Sequence, residues 1–334
     1  MTRIGVLHVG LGPVGLAIVK QLASRKGFKT VGAVDTDPTK VGADLGTMAG
    51  LARRLGVKVR DDLPRTLRNA KADVVVLCTS SSIRSVVPQL ETILQSRTPV
   101  VSTAEELSYP WRTHVREARR IDAWAKKAKA AVLATGVNPG FAMDALPLML
   151  TAVCERVDRV QIERVQDGRV RRLPFQRKIG AGLTTDQFRK QVQAGAVRHV
   201  GFIQSIAMIA DALGWKLDRI TDDIQPKIAS EPVSSELLAV DPGYVCGLVQ
   251  DGVGYRAGEP VIRLHMEAYL GAPESFDAIH IDGRPPVSVR LAGGIHGDIA
   301  TASMVINSIP RVLDAPPGLH TMRDLPLPSF FPGV

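Results

Sequence analysis

The segment that most constrains the fold is a short apolar run followed at once by a glycine-rich turn. Residues 4–9 (IGVLHV) have the apolar, β-branched composition of a buried strand. Gly10, Gly12 and Gly15 come next in the pattern Gly-x-Gly-x-x-Gly, and a helical pattern follows them. Asp35 closes the next apolar run. Strand, glycine turn, helix and a later acidic residue, in this order, are typical of a dinucleotide-binding site.

The glycine turn has a physical logic at each position. The first glycine permits a tight turn, the second lets the backbone approach a pyrophosphate, and the third allows close helix packing. Pro13 and Val14 lie at the helix N-terminus, where unsatisfied N–H groups and the positive end of the helix dipole favour phosphate. Glycines of an ordinary strand–helix turn are the alternative interpretation, and the surrounding pattern disfavours it.

Asp35 bears on the choice of cofactor. A carboxylate at this position accepts hydrogen bonds from the adenosine ribose and repels a 2′-phosphate, which favours NAD. Lys40 lies close by in the sequence and would offset part of that repulsion. The choice between NAD and NADP therefore stays open, tilted towards NAD, and a plain loop carboxylate is the alternative role for Asp35.

The alternation of apolar runs with helical patterns predicts the architecture of the first domain. Further strand-like runs occupy residues 30–35, 72–79 and 98–103, with helical patterns between them. Near-continuous apolar strands separated by helices indicate a parallel sheet buried on both faces. We therefore expect an α/β chain whose residues 1–136 form a doubly wound dinucleotide-binding domain of the Rossmann type.

The pattern changes after residue 136. Alternating strands such as residues 159–166 and 260–270, with an amphipathic helix near 198–213, indicate a second domain of α+β type over residues 137–296. We expect it to supply substrate-binding and dimerisation surfaces. A last helix begins at Asp298, and we expect the region 297–334 to pack back onto the first domain.

Small hydroxyl side chains follow two of the predicted strands. Thr79 ends the run 72–79 and Ser80 follows it, and Thr103 ends the run 98–103. Ligands of such sheets bind beyond the carboxyl ends of the strands, so we expect these three residues to contact the cofactor. Helix capping is the alternative role, and for Ser81 and Ser82 the two roles are evenly balanced.

Glu105 and Glu106 come just after the strand-like run 98–103. Carboxylates beside a nicotinamide could move protons or stabilise a cationic substrate. Acidic residues in a first helical turn also interact favourably with the helix dipole, so spacing alone does not decide between the two roles.

Composition excludes several classes of protein. Lys and Arg outnumber Asp and Glu by 42 to 33, a formal net charge of +9, but aromatic residues make up only 4% and no basic-aromatic stripe or zinc motif accompanies the charge. We therefore expect no nucleic-acid partner. The most apolar long stretch, residues 130–153, is interrupted by prolines and polar residues, so we expect no membrane span.

The cysteines and the N-terminal residues bear on the compartment. Cys78, Cys154 and Cys246 are scattered, with no disulfide framework and no metal-ligand spacing. The first residues lack the pattern of a signal peptide. We expect a reducing, cytoplasmic location and no metal site.

Four longer segments carry a family resemblance. The segments are residues 135–141 (TGVNPGF), 178–184 (KIGAGLT), 198–201 (RHVG) and 293–313 (GGIHGDIATASMVINSIPRVL). With them the chain resembles the 2,4-diaminopentanoate dehydrogenase group and the native amine dehydrogenases, within the dihydrodipicolinate reductase-like superfamily. The resemblance implies NAD(P)H-dependent interconversion of an amine with a ketone and ammonia, hydride going to an imine carbon.

The resemblance also implies roles for individual residues. Glu105, with Glu106 as the alternative, would hold and deprotonate ammonia or the amine and stabilise the iminium. Asn138 would lie near the nicotinamide carboxamide, and Phe141 would line an apolar pocket. Asn307, on the last helix, would approach the cofactor.

The second domain would supply the remaining substrate wall. Gln176, Lys178 and His199 are the candidates, although a satisfied or capping role is common for such a histidine. The family analogy further suggests a homodimer formed through the sheets of this domain. A small ketone or amine and ammonia are thus the expected partners.

Two other functions remain alternatives. One is ammonia-independent reduction of a preformed imine, as the wider superfamily implies, although the paired-His motif of dihydrodipicolinate reductases is absent from the sequence. The other is a non-catalytic NAD-binding regulator, which would keep the cofactor site without the chemistry.

Overall fold

The computed structural model describes residues 3–332 and divides into two compact units. The first unit runs to Phe141 and resumes at His296, and the second spans Ala142–Ile295. The sequence prediction had placed these boundaries after residues 136 and 296. The chain therefore leaves the first unit once and returns to it for the last helix.

The first unit is built on one parallel sheet of seven strands, as the apolar runs predicted. The strand order is β15-β6-β5-β4-β1-β2-β3, with every pair parallel. The strands are β1 (Ile4–Val9), β2 (Phe28–Val34), β3 (Val59–Arg60), β4 (Val74–Leu77), β5 (Val100–Ser102), β6 (Ala131–Ala134) and β15 (Gly318–His320). Because β1 lies between β2 and β4, the strand order reverses direction beside β1, which is where such sheets bind ligands.

Helices and apolar side chains bury this sheet. The helices of the unit are α1 (Pro13–Ala23), α2 (Leu45–Met48), α3 (Leu63–Ala70), α4 (Ile83–Gln95), α5 (Val115–Ala128) and α10 (Gly297–Leu313). All four residues of β4 and all four of β6 are buried, which explains their unbroken apolar runs. The last helix packs on α1, within the same unit.

The short strand β15 escaped the sequence prediction. It follows a proline-rich segment and pairs with β6, where Gly318 lies opposite Ala131. Gly318 has φ +146°, and its N–H donates to the carbonyl of Ala130 at 3.1 Å. Three residues are too few for a periodic signal, so only backbone pairing with β6 defines this strand.

The second unit contains a mixed six-stranded sheet in the order β14-β13-β7-β12-β11-β8 and a two-stranded sheet of β9 and β10. The pair β7–β12 is parallel and the other neighbours are antiparallel. The strands are β7 (Arg156–Asp167), β8 (Arg219–Ile228), β9 (Val233–Ser234), β10 (Ala239–Val240), β11 (Val245–Arg256), β12 (Glu259–Tyr269), β13 (Phe276–Arg284) and β14 (Val287–Ala292). Its helices are α6 (Ala145–Leu150), α7 (Leu173–Lys178), α8 (Thr185–Gln193) and α9 (Phe202–Ala212).

The two faces of the six-stranded sheet differ in what packs against them. Helix α9 packs on one face, so closely that a Cβ at Gly252 would lie 2.9 Å from the ring of Phe202. The opposite face keeps partly exposed side chains at every second position of β11 and β12, including Asp251, His265 and Glu267. This alternation is typical of a sheet with one face packed within its own unit.

Across residues 3–332, no helix combines the length and the apolar character needed to cross a membrane.

Candidate functional site

The glycine turn after β1 has the geometry that the sequence pattern required. Gly10 has φ +87°, and a Cβ there would lie 2.5 Å from the carbonyl oxygen of Cys78. A Cβ at Gly15 would lie 2.1 Å from the carbonyl oxygen of Gly10. At Gly12, by contrast, a Cβ would meet no atom within 4 Å among the described residues. Close backbone packing therefore requires glycine at Gly10 and Gly15, whereas Gly12 faces open space.

The helix that follows presents its N-terminus at this turn. Gly12 is the N-cap of α1, Pro13 follows it, and no side-chain hydrogen bond caps the helix within the described chain. The exposed backbone of Gly12 and the uncapped end of α1 beside Val14 fit the pyrophosphate of a dinucleotide, because N–H groups and the helix dipole favour an anion there.

Asp35 lies at the end of β2 and contacts the glycine turn. Its Oδ2 accepts hydrogen bonds from the backbone N–H of Leu11 at 2.7 Å and from Lys40 Nζ at 3.0 Å. Its Oδ1 accepts the backbone N–H of Asp37 at 2.9 Å. Burial alone would raise the pKa of Asp35, but these hydrogen bonds outweigh it and hold the pKa below its ordinary value. The carboxylate therefore stays ionised.

The three predicted hydroxyl residues lie at the carboxyl ends of β4 and β5, where their side chains form hydrogen bonds with nearby protein groups. Thr79 Oγ1 donates to Gln89 Oε1 at 2.6 Å, and Ser80 Oγ accepts the backbone N–H of Ser82 at 3.1 Å. The Thr103 side chain hydrogen-bonds to the thiol of Cys78. These bonds hold the loops in place and leave cofactor contact a prediction for all three residues.

Glu105 and Glu106 occupy one short 3-10 turn but have different surroundings. Glu106 Oε2 accepts the backbone N–H of Ile83, the first residue of α4, at 3.0 Å and lies 3.7 Å from Nε2 of His114. Glu106 thus caps a neighbouring helix. The half-buried carboxylate of Glu105 makes no hydrogen bond or ion pair with any residue between 3 and 332.

The charge of Glu105 acts on Cys78. Burial, and to a lesser degree this carboxylate, raises the pKa of the Cys78 thiol to about 12. The thiol is therefore protonated at neutral pH and unreactive as a nucleophile.

The loop after β6 brings further predicted residues to the same sheet edge. Asn138 is buried and precedes Pro139 in a cis peptide bond. Phe141 is half-buried at the end of this unit. The backbone N–H of Val137 donates to Thr301 Oγ1 of α10 at 3.4 Å. Sequence reasoning missed Thr301, although it lies within the C-terminal family segment.

Asn307 is held near the C-terminal end of α1, and its approach to the cofactor stays a prediction. Asn307 Oδ1 accepts hydrogen bonds from Arg25 Nη1 at 2.5 Å and from the backbone N–H of Phe331 at 3.1 Å. Arg25 follows the C-terminal end of α1, whereas the glycine turn precedes its N-terminal end. Asn307 therefore anchors the C-terminal segment away from the pyrophosphate end of α1, and of the two α10 residues it is Thr301 that contacts the loop after β6.

Gln176 is fully buried within the second unit. Nε2 donates to the carbonyl of Arg171 at 2.9 Å, and Oε1 accepts the hydroxyl of Ser235 at 2.9 Å. Both ends of the amide thus have a partner inside the unit, and substrate contact by Gln176 stays a prediction.

His199 is half-buried in the same unit, and its backbone is held on both sides by one side chain. Gln250 Oε1 accepts the N–H of His199 at 2.9 Å, and Gln250 Nε2 donates to its carbonyl at 3.0 Å. Gln250 Nε2 also donates to Asp222 Oδ1 at 2.8 Å. The imidazole packs edge-on against Phe202, with ring centroids 5.7 Å apart. The sequence contains no signal for this clamp, which joins the buried Gln250 to Asp222 on the neighbouring strand.

No group of three or more His, Cys, Asp or Glu residues within the described range is arranged to hold a metal ion.

Comparisons with known proteins agree with this geometry. Residues 141–333 match the family model of the 2,4-diaminopentanoate dehydrogenase C-terminal domain, and residues 3–120 match that of the dihydrodipicolinate reductase N-terminus. A 2,4-diaminopentanoate dehydrogenase of Acetoanaerobium sticklandii is 33% identical, over 100% of this chain and 96% of the relative. An amine dehydrogenase of Streptomyces virginiae is 25% identical, over 95% of each chain.

A solved structure resembles the whole chain. It is the amine dehydrogenase of Mycobacterium smegmatis, with 26% identity, a TM-score of 0.88 and coverage of 100% of this chain and 99% of that one. The family models, the relatives and the glycine turn together lead to one conclusion. The chain belongs to the 2,4-diaminopentanoate dehydrogenase family and is an NAD(P)-dependent oxidoreductase of the amine dehydrogenase type.

Proposed function

We propose that this dehydrogenase catalyses the reversible reductive amination of a ketone with ammonia, with Glu105 as its catalytic residue. The observation that carries the proposal is the carboxylate of Glu105 at the carboxyl end of β5, which makes no hydrogen bond or ion pair with any residue between 3 and 332. Its neighbour Glu106 is already used to cap α4, so the two candidates are no longer equivalent.

The proposed role of Glu105 follows from the charges that develop during the reaction. A carboxylate with open lone pairs accepts hydrogen bonds from ammonia and takes up the proton released when nitrogen attacks the carbonyl carbon. The adduct takes a proton from solvent on its oxygen, and its hydroxyl group leaves as water with the proton that Glu105 returns. The resulting iminium is cationic, and the regenerated carboxylate stabilises it in a site of low dielectric constant. Bound NAD(P)H supplies the hydride that reduces this carbon.

The other predicted residues hold the cofactor in this proposal. Gly12 and the N-terminus of α1, at Val14, bind the pyrophosphate, and Asp35 binds the adenosine ribose. The residues at the ends of β4, β5 and β6 bind the nicotinamide half, namely Thr79, Ser80, Thr103 and Asn138.

The substrate that we propose first is a ketone bearing an amino-acid group, as would form from 2,4-diaminopentanoate. The support is the 33% identity with a relative of that name over the whole chain. Simple aliphatic ketones form the second series, because two other relatives are named amine dehydrogenases. In both series Phe141 is the proposed apolar wall for the substrate, and His199 remains a separate substrate-binding candidate in the second unit.

The test uses the purified protein with NADH or NADPH, a panel of both ketone series and ammonium at high concentration. We expect cofactor oxidation that requires both ketone and ammonium. Oxidation that proceeds with a preformed cyclic imine and does not respond to ammonium would instead favour the imine reductase alternative.

Two matched variants test the assignment of Glu105. We expect Glu105→Gln to lower kcat by about 10²- to 10⁴-fold, since it removes a general base, without changing the Kd for NAD(P)H. Glu106→Gln keeps an acceptor oxygen for Ile83 and is expected to retain kcat within a few-fold. Full activity in Glu105→Gln would refute the catalytic role.

We also propose a homodimer formed through the partly exposed face of the six-stranded sheet. The support is a row of ion pairs on this face: Arg263 Nη2 lies 3.0 Å from Asp251 Oδ1, and Lys227 Nζ lies 2.9 Å from Glu267 Oε2. Light scattering of the native protein is expected to give twice the chain mass of 35.9 kDa. A monomer at micromolar concentration would exclude the dimer.

The proposed location is the cytoplasm. Cys78, Cys154 and Cys246 are all free thiols in the structure, as a reducing compartment would keep them.

A further inference from the structure

A small charged cluster at the end of β2 bears on which nicotinamide cofactor this chain accepts. Lys40 Nζ lies 3.0 Å from Asp35 Oδ2 and 3.5 Å from Asp37 Oδ2. One ammonium therefore sits between two carboxylates, one of which is the predicted ribose ligand. The remaining contacts of Asp35 Oδ2 go to the backbone of Leu11, in the glycine turn.

The turn that carries Lys40 is ordered by its own hydrogen bonds. The backbone N–H groups of Lys40 and Val41 donate to the carbonyl of Asp37, at 3.0 and 3.3 Å. The N–H and hydroxyl of Thr39 both donate to Asp37 Oδ1, at 3.0 and 2.7 Å. These bonds order the backbone of the turn that carries Lys40, and the Lys40 side chain is 27% exposed.

A second cation stands on the adjacent strand. Arg60 ends β3, where it pairs with Val34 of β2, and its carbonyl accepts the N–H of Asp35 at 3.0 Å. The Arg60 residue is exposed. Arg60 is followed directly by Asp61 and Asp62, so Lys40 is the cation that pairs with Asp35 and Asp37. A lone Asp at this position would repel a 2′-phosphate, whereas the ammonium of Lys40 offsets part of that repulsion.

Asp35 and Lys40 together have the hydrogen-bonding capacity to bind the adenosine ribose of either NADH or NADPH. Oδ1 of Asp35 accepts one bond, from Asp37, and keeps a lone pair for a ribose hydroxyl. Lys40 has three N–H donors and directs two towards the carboxylates, which leaves one for a further acceptor. We propose that Lys40 is the residue that admits NADPH beside NADH, its ammonium receiving the 2′-phosphate while Asp35 receives the 2′-hydroxyl of NADH.

The test measures cofactor binding directly and does not depend on amine chemistry. Kd values for NADH and NADPH are determined by fluorescence titration of the native protein. We expect the two values to lie within about tenfold of each other, because the ammonium of Lys40 offsets the repulsion between Asp35 and a 2′-phosphate and offers it a hydrogen bond. A native protein that binds NADPH more than a hundredfold more weakly than NADH would overturn the proposal.

Lys40→Met is the decisive variant. Removing one positive charge beside a phosphate that carries nearly two negative charges is expected to raise the Kd for NADPH about tenfold or more, and that for NADH less than threefold. Lys40→Arg is expected to restore most of the NADPH affinity. In the native protein, raised salt is expected to weaken NADPH binding more than NADH binding. In Lys40→Met, raised salt is expected to weaken the binding of both cofactors equally.

Lys20→Met is the matched charge control. It removes one exposed cation from the later part of α1, so it tests whether overall charge alone draws in NADPH. We expect no change in the ratio of the two Kd values. An equal effect of Lys20→Met and Lys40→Met on that ratio, or an equal loss of both cofactors in a folded Lys40→Met, would refute the specific role of Lys40.

Discussion

The backbone N–H of Ile83 donates a 3.0 Å hydrogen bond to the carboxylate of Glu106, across 23 residues of sequence. This bond ties the first residue of α4 to the turn that follows β5. It also separates the two adjacent glutamates, because no residue between 3 and 332 forms a comparable bond with the carboxylate of Glu105.

The first prediction concerns stability at this turn. Glu106→Ala removes an acceptor from the N-terminus of α4 and is expected to lower the free energy of unfolding by about 1 kcal/mol. Glu105→Ala is expected to leave it unchanged, because no bond is lost. Urea denaturation of the two variants makes the comparison, and equal losses in both would contradict the capping role of Glu106.

A second prediction concerns the C-terminal segment. Arg25 Nη1 donates both to Asn307 Oδ1 and to the carbonyl of Phe331, so these three residues hold the segment together. Asn307→Ala is expected to cost about 1 kcal/mol of stability and to speed proteolytic cleavage near residue 331. Asn307→Asp keeps the acceptor oxygen and is expected to protect the segment. A raised Kd for NAD(P)H in Asn307→Ala would support the predicted approach of Asn307 to the cofactor, whereas an unchanged Kd would contradict it.

The third prediction is that the buried His8 lowers the free energy of unfolding in acid. Its imidazole is buried in β1, and burial lowers the pKa of His8 from 6.5 to about 4. The unfolded chain therefore takes up a proton first as the pH falls, so the contribution of neutral His8 is complete above pH 6.5. It is lost progressively between about pH 6.5 and 4, by about 3 kcal/mol in total.

The matched variant for this effect is His8→Leu, which cannot be protonated. The measurement is the difference in free energy of unfolding between native protein and variant, followed from pH 7 to pH 4. We expect this difference to shift in favour of the variant as the pH falls. A difference that does not change with pH would mean that His8 does not control acid stability.

The fourth prediction concerns a buried ion pair in the second unit. Arg164 of β7 and Asp277 of β13 are 3% and 2% exposed and bind each other. Together they hold Ile295: Arg164 Nη2 donates to its carbonyl at 2.6 Å, and Asp277 Oδ2 accepts its N–H at 2.7 Å. Asp277→Ala is expected to cost about 3–5 kcal/mol, because a buried guanidinium loses its counter-charge.

The double variant Arg164→Met with Asp277→Leu separates charge from packing. Since neither member leaves an unpaired charge, it is expected to recover part of the stability lost in Asp277→Ala. Thermal unfolding of the single and double variants makes the comparison. A double variant less stable than Asp277→Ala would show that the hydrogen bonds to Ile295 matter more than the charge balance.

Much of the first unit was predictable because its signals are local. The strand, the glycine turn and α1 occupy consecutive residues, and the steric need for Gly10 and Gly15 arises within that same turn and its neighbouring strand. The unbroken apolar runs likewise indicated a parallel sheet covered on both faces. The strand β15 has no such signal, because it exists only through pairing with β6.

Local pattern also identified some of the site residues and not others. Asp35 and the Glu105–Glu106 pair could be recognised as acidic residues just after strands, since parallel strands bring their carboxyl ends to one edge of the sheet. The sequence could not indicate the hydrogen bonds of Gln176 and Asn307, because their partners are distant in the chain. Gln176 meets Ser235 across 59 residues, and Asn307 meets Arg25 across 282.

Short-range sterics and hydrophobic periodicity encode the dinucleotide turn, the parallel sheet and the two carboxylates beside it, so these features can be read from the residues alone. Which carboxylate keeps open lone pairs depends on contacts between distant segments of the chain. That choice depends on where the N-terminus of α4 comes to lie, and its backbone N–H at Ile83 selects Glu106. Spacing along the chain cannot distinguish two adjacent residues of the same type, whereas a single directional hydrogen bond can.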